Sequence, residues 1–195
     1  MKRLLKSRFE PFIINNKVNN KVNSKGFSLV ELLIVVAITG VVLAIATPDF
    51  IKATRIMQSK HQAKEMSAAI KLAQSEAVRL RQSVTMCRAN ANQNGCNTGI
   101  PAGDWSAGWI IFADKDFDKT LDNDELPPLA IKQPVSKNYQ VVANTNLANT
   151  ISFNAAGEKI DLINGTIEFY HKQDASVASN KVNLIINSAG RLTIK

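Results

Sequence analysis

Histidine and cysteine are scarce in this chain: its 195 residues hold two of each, His61, His171, Cys87 and Cys96. A structural zinc ion takes four Cys or His ligands, and two cysteines with two histidines so distant in sequence do not read as such a set. The scarcity also removes the usual general bases. His61 falls in the polar part of a helical pattern and His171 in a strand-like run, with no sequence reason for either to meet a nucleophile, so the expectation is a protein without catalysis. Acidic residues are nearly missing from the first 26 positions, where Glu10 stands against seven Lys or Arg. That segment carries +6 of the formal +8, and the remaining chain only +2. A basic charge so confined reads less as a nucleic-acid surface than as the cytoplasmic flank of a membrane segment, with the later domain on the other side.

The membrane segment is present. In "KGFSLVELLIVVAITGVVLAIATPDF" the residues from Phe27 to Ala46 are apolar but for Ser28, Glu31, Thr39 and Gly40, enough for one bilayer crossing as a helix. Glu31 is the anomaly, because a charge in hydrocarbon costs roughly 2.5 to 3.5 kcal/mol even on lenient scales and so needs a partner or a use. Pro48 kinks a helical pattern without necessarily ending it. Beyond it Ala63, Met66, Ile70, Ala73, Ala77, Leu80 and Val84 recur at steps of three and four, predicting one helix over about residues 28–83 with an apolar stripe for a sheet to cover. A cleaved secretory signal is the competing reading, since "AIA" at 44–46 has the small-x-small pattern. The continuity of the helical pattern through that point argues against it.

After Val84 the texture changes to short β-like runs: "SVTMCR", "AGWIIFAD", "YQVVAN", "TISF", "GTIEFYHK", "VNLIIN" and "GRLTIK". Asn164-Gly165, between "KIDLI" and "TIEFY", predicts a tight hairpin. "SFNAAGEKI" and "IINSAGRLTI" each place Asn three residues before Gly and predict one turn used twice. The fold class expected is α+β, a long N-terminal helix packed on a mostly antiparallel sheet. In an exported domain Cys87 and Cys96, separated by the polar "RANANQNG", should form a disulfide. Trp105 and Trp109 could stack on a base or sugar but are expected in the core. The acidic run at 114–125 sets Asp114, Asp116, Asp118, Asp122 and Glu125 at places one, three, five, nine and twelve of a calcium-loop template. Lys119 stands where the template has its turn glycine and adds a positive charge beside the ion, so a solvated turn is favoured over calcium.

"KGFSLVELL" resembles the class III signal of type IV pilins and type II secretion pseudopilins. The resemblance implies cleavage by prepilin peptidase between Gly26 and Phe27, methylation of the new N-terminus, and a Glu31 that pairs with the terminal amine of a neighbouring subunit. It divides the chain into a leader, 1–26, an assembly half of the helix, 27–47, an amphipathic half, 48–83, and a β-rich head, 84–195. "DWSAGWIIFADKDFD" and the closing "INSAGRLTIK" are similar to the GspH/FimT group of minor pilins, which implies a non-enzymatic subunit, without cofactor, that helps initiate or tip a type IV pilus. Its partners would be other pilin subunits, and its place the inner membrane with the head in the periplasm, then the filament. A type II secretion pseudopilin is one alternative. Another is a receptor for double-stranded DNA: some members end in Gly-Arg-x-Arg, matched here by Gly190, Arg191, Leu192 and Thr193, without the second arginine. A terminal strand would put Arg191, Thr193 and Lys195 on one face, with Lys181 across the hairpin.

Overall fold

The computed structural model describes residues 26–97, 99, 103–161 and 163–195. The expected leader, residues 1–26, lies outside the described residues but for Gly26. One α-helix, α1, spans Leu29–Leu80. The described chain falls into two units, one ending at Ile45 and one running Ala46–Lys195.

In the first unit the helix is bare. Its large side chains, among them Leu29, Leu33, Val36, Val42 and Ile45, are all more than half exposed among the described residues. In the second unit the stripe read from the sequence is the buried face: Ala63, Met66, Ile70, Ala73 and Ala77 have no exposed surface. The helix stops at Leu80, short of the expected 83. Arg81 takes a left-handed conformation (φ 55°), and the Gln82 amide donates to the Ala77 carbonyl at 3.3 Å, the six-to-one closure of a helix C-terminus. Val84, the last residue of the predicted stripe, therefore begins the first strand while staying in the same core.

Among the described residues eight strands follow: β1 Val84–Arg88, β2 Trp109–Ala113, β3 Ala130–Lys132, β4 Tyr139–Ala143, β5 Thr150–Phe153, β6 Gly165–His171, β7 Val182–Ile186 and β8 Leu192–Ile194. They form two four-stranded antiparallel sheets, in the orders β3-β2-β1-β5 and β4-β6-β7-β8, where the sequence suggested one. Alternate residues of both sheets, including Val84, Met86, Ile111, Phe153, Ile167, Phe169 and Leu184, join the stripe of α1 in one core. The far face of the first sheet has its own smaller cluster of Cys87, Ala89, Ile110 and Phe112, flanked by Cys96 and Leu121. β1 is thus buried on both faces, which explains its run of five buried residues. Trp105 and Trp109 are core residues, and the Trp105 indole N–H donates to the Leu147 carbonyl at 3.0 Å.

The twin turns are the same device. Gly157 and Gly190 sit at φ +77° and +76°, with their amides donating to Asn154 O and Asn187 O at 2.8 and 2.9 Å. The two asparagine side chains accept from the amides of Glu158 and Arg191. The Asn164-Gly165 hairpin, in contrast, does not form. β5 and β6 lie in different sheets, and the described residues of "KIDLI" contribute the bridge of Lys159 to Phe153 and no named strand. Two interactions override the turn preference. The buried Lys159 ammonium donates to the carbonyls of Asp161 and Ile163, curling the segment around itself, and the Asn164 side chain accepts from the Ser188 amide at 2.8 Å. Gly165 serves packing, since a Cβ there would come within 2.2 Å of Leu147 Cγ.

Candidate processing, assembly and binding sites

Gly26 and Phe27 precede the first turn of α1, and Phe27 is 78% exposed. Among the described residues no atom beyond its chain neighbour lies within 4 Å of a Cβ built on Gly26. Glu31 lies in the first turn of the helix, where the backbone amides favour a carboxylate. It is the single ionisable group between Phe27 and Ala46, a stretch whose large side chains are exposed Phe, Leu, Val and Ile. Such a surface suits hydrocarbon or neighbouring helices and little else.

Cys87 and Cys96 form the disulfide. It closes the loop after β1 together with the Ala89–Cys96 bridge and the Asn97 amide, which donates to the Arg88 carbonyl at 2.7 Å. Arg88 organises the same loop. Its guanidinium is buried and donates to the carbonyls of Asp104, Asn97 and Gly99 at 2.8 to 3.1 Å, and burial holds its pKa below the usual arginine value, opposed by the nearby Asp104 charge. The sequence reading missed this residue and Lys159, whose pKa burial also lowers. A cation beside a cysteine or inside a strand-like run was the available signal, since such a group either snorkels to water or finds carbonyls.

The acidic run leaves the end of β2. Asp114 is buried, with Oδ2 accepting the Thr85 hydroxyl at 2.6 Å, and Thr85 Oγ1 in turn accepts from the Ser152 hydroxyl at 2.8 Å. Carboxylate oxygens of Asp114, Asp116 and Asp118 come within 4.8 Å of one another. Asp122 is exposed, and Glu125 is buried and turned inward, its two oxygens accepting from the amides of Lys115 at 2.7 Å and Asp122 at 3.2 Å. Burial raises the Glu125 pKa, the amide bonds partly oppose this, and the charges of Asp114 and Asp116 add to it. The Asp122 pKa is also raised, by loss of solvent and then by Asp118, Asp116 and Asp124.

On β8 the alternation is as read: Arg191, Thr193 and Lys195 are exposed while Leu192 and Ile194 are half buried. Lys195 pairs through its backbone with Asn183, whereas the Lys181 ammonium is 2.9 Å from Glu168 and 4.7 Å from the centre of the Tyr170 ring. His61 lies 3.8 Å from Glu65 along α1, and His171 ends β6 with its Nδ1 accepting from the Gln173 amide and its ring edge-on to Tyr139.

Two family models match the chain: the type II transport protein GspH over residues 62–190, and the prokaryotic N-terminal methylation motif over residues 21–47. No curated protein matches it significantly. Among solved structures, the type IV minor pilin FimU of Pseudomonas aeruginosa is similar in two crystal forms, with TM-score 0.50 and 19% identity in each. The first match covers 70% of this chain and 91% of FimU, the second 75% and 92%. The minor pseudopilin EpsH of Vibrio cholerae is similar at TM-score 0.45 and 11% identity over 70% of this chain and 95% of that one. A long helix with an N-terminal methylation motif, antiparallel sheets on its second half and a GspH match over most of the head place the chain in one family: it belongs to the GspH family of minor pilins and pseudopilins.

Proposed function

We propose that the chain is a minor pilin of a type IV pilus, cut after Gly26 and held in the filament by its bare helix, with Glu31 paired to the terminal amine of a neighbouring subunit. The observation that carries the reading is the first unit itself: an uncovered apolar helix with one carboxylate in its first turn. The apolar face needs hydrocarbon before assembly and other helices after it. A lone carboxylate is a liability in both places until a cation meets it, and cleavage at Gly26 creates a new cation, the Phe27 amine, on every mature subunit. The carboxylate then sets the register of one helix against the next. The head would lie in the periplasm and then on the filament, where the subunit would help initiate or tip the pilus; the fold shared with the type IV minor pilin FimU supports the pilus reading.

The test joins chemistry to assembly. Mass spectrometry of membrane-extracted protein should find an N-methylated Phe27, and Glu31→Ala should leave the subunit in the membrane but absent from sheared filaments. An N-terminus at Thr47, or normal recovery of the variant in filaments, would overturn the proposal. A type II secretion pseudopilin is the second reading, favoured by the description of the matching family. It predicts loss of protein export, with pili intact, when the chain is deleted.

A further inference from the structure

We propose that the loop from Asp114 to Glu125 is a calcium site, with the buried Asp114 joined by Asp116 and Asp118 as the carboxylate ligands. The carrying observation is one atom. Asp114 is 1% exposed, its Oδ2 holds the Thr85 hydroxyl, and its Oδ1 is buried with no hydrogen-bond partner among the described residues. A buried carboxylate oxygen left bare is costly, and water or a cation is what ordinarily relieves it. Asp116 and Asp118 bring carboxylate oxygens within 4.8 Å of Asp114, a span that one ion at roughly 2.3 to 2.6 Å from each can bridge.

The two sequence objections, both concerning Lys119, do not hold in the fold. The glycine of the template serves to supply a left-handed residue, and Lys119 adopts that conformation itself, at φ 65°. Its ammonium does not face the carboxylates; it is drawn 3.3 Å from Asp161. The other lysine of the run, Lys115, donates to the Asp124 carbonyl. Of the six carboxylates in these twelve residues, Lys115 therefore meets Asp124, outside the proposed ligand set, and Lys119 is engaged by Asp161, outside the run.

The ligand set selects the ion. Carboxylate oxygens without imidazole or thiolate suit a hard cation, and a loop that is mostly exposed suits the flexible geometry of calcium better than the rigid octahedron of magnesium. Glu125 closes the loop onto the Lys115 and Asp122 amides and is not counted as a ligand, which leaves three protein carboxylates and water. An affinity in the range of extracellular modules follows, about 10⁻⁴ to 10⁻³ M. The loop also carries Leu121, which packs on the second small core, so calcium would fasten that cover over Cys87, Ile110 and Phe112.

The experiment is calorimetric titration of calcium chloride into the full-length oxidised protein in a neutral detergent at physiological salt. One saturable site is expected, weakened at least tenfold in Asp116→Asn, whose exposed side chain is not part of the core, and in Asp114→Asn. Asp124→Asn, a charge change in the same loop outside the ligand set, should keep the affinity within twofold. Calcium should also raise the melting temperature of the wild type and not of Asp116→Asn. Absence of saturable binding, or equal weakening by Asp124→Asn and Asp116→Asn, would overturn the site, and magnesium binding as tightly as calcium would overturn the choice of ion.

Discussion

Replacing Gly165 by alanine separates two explanations of one glycine. If Asn164-Gly165 formed the turn that its sequence suggests, the penalty would be conformational and independent of neighbouring side chains. In the fold the new Cβ would meet Leu147 at 2.2 Å from Cγ, 2.3 Å from Cδ1 and 2.9 Å from Cδ2. A clash with the branch carbon cannot be relieved by swinging a methyl aside, so the whole side chain must shift. Overpacking of this kind costs typically about 1 to 3 kcal/mol, and this site belongs near the top of that range. Leu147→Ala alone should cost roughly 2 to 5 kcal/mol, since Leu147 is 1% exposed in the main core. The double variant is decisive. With Leu147 shortened the alanine at 165 has room, so the second substitution should add less than about 1 kcal/mol, leaving a coupling of about 2 kcal/mol, within the range expected for residues in contact. Urea unfolding of the full chain in detergent, followed by tryptophan fluorescence, is the assay. It reports this corner because the Trp105 indole hydrogen-bonds to the Leu147 carbonyl. An equal cost for Gly165→Ala in both backgrounds would refute the packing argument.

Reduction of the Cys87–Cys96 disulfide, which closes a loop of sequence separation 9, should lower stability by roughly 2 to 3 kcal/mol in the same assay, and titratable thiols in the native protein would contradict it. Without calcium, the raised Glu125 pKa gives the folded state the tighter hold on the proton. This group's contribution to stability is then full below the ordinary glutamate range and lost as pH rises through the raised folded value, and unfolding measured across that window should show a flatter profile for Glu125→Gln. A bulky residue in place of Gly26 should leave the precursor uncut on an immunoblot, whereas normal processing would remove this glycine from the cleavage argument. Duplex DNA should bind weakly, with dissociation constants at or above roughly 10⁻⁴ to 10⁻⁶ M, because Lys181 is engaged by Glu168. Tight binding at physiological salt that is lost in Arg191→Ala would instead support the DNA-receptor reading.

Much of the fold was legible because it rests on period and composition. The buried stripe of α1 follows from apolar residues at helical steps, and seven of the strands from β-branched and aromatic runs. β3 was not legible: "AIK" is three residues long, near Pro127, Pro128 and Pro134, and it is a strand only because β2 offers an edge to pair with. "KIDLI" looked like a strand and is not one, since the buried Lys159 ammonium needs carbonyls and the chain bends to supply them. Division of the strands between two sheets was equally hidden, for alternation marks which residues face inward and not which strand lies alongside.

Charge shows the boundary most clearly. The sequence by itself determined that a basic segment precedes an apolar run, that Glu31 is the one charge between Phe27 and Ala46, and that five acidic positions follow a calcium-loop order. These are facts of spacing, and spacing is local. Only the tertiary structure decided what each charge meets: Lys119 turns to Asp161, 42 residues away, Lys181 to Glu168, and Asp114 to Thr85 across the sheet. An ionic or hydrogen-bonded partner is effective within a few ångströms, and which groups come that close depends on strand pairing and loop closure that no single stretch of the chain contains.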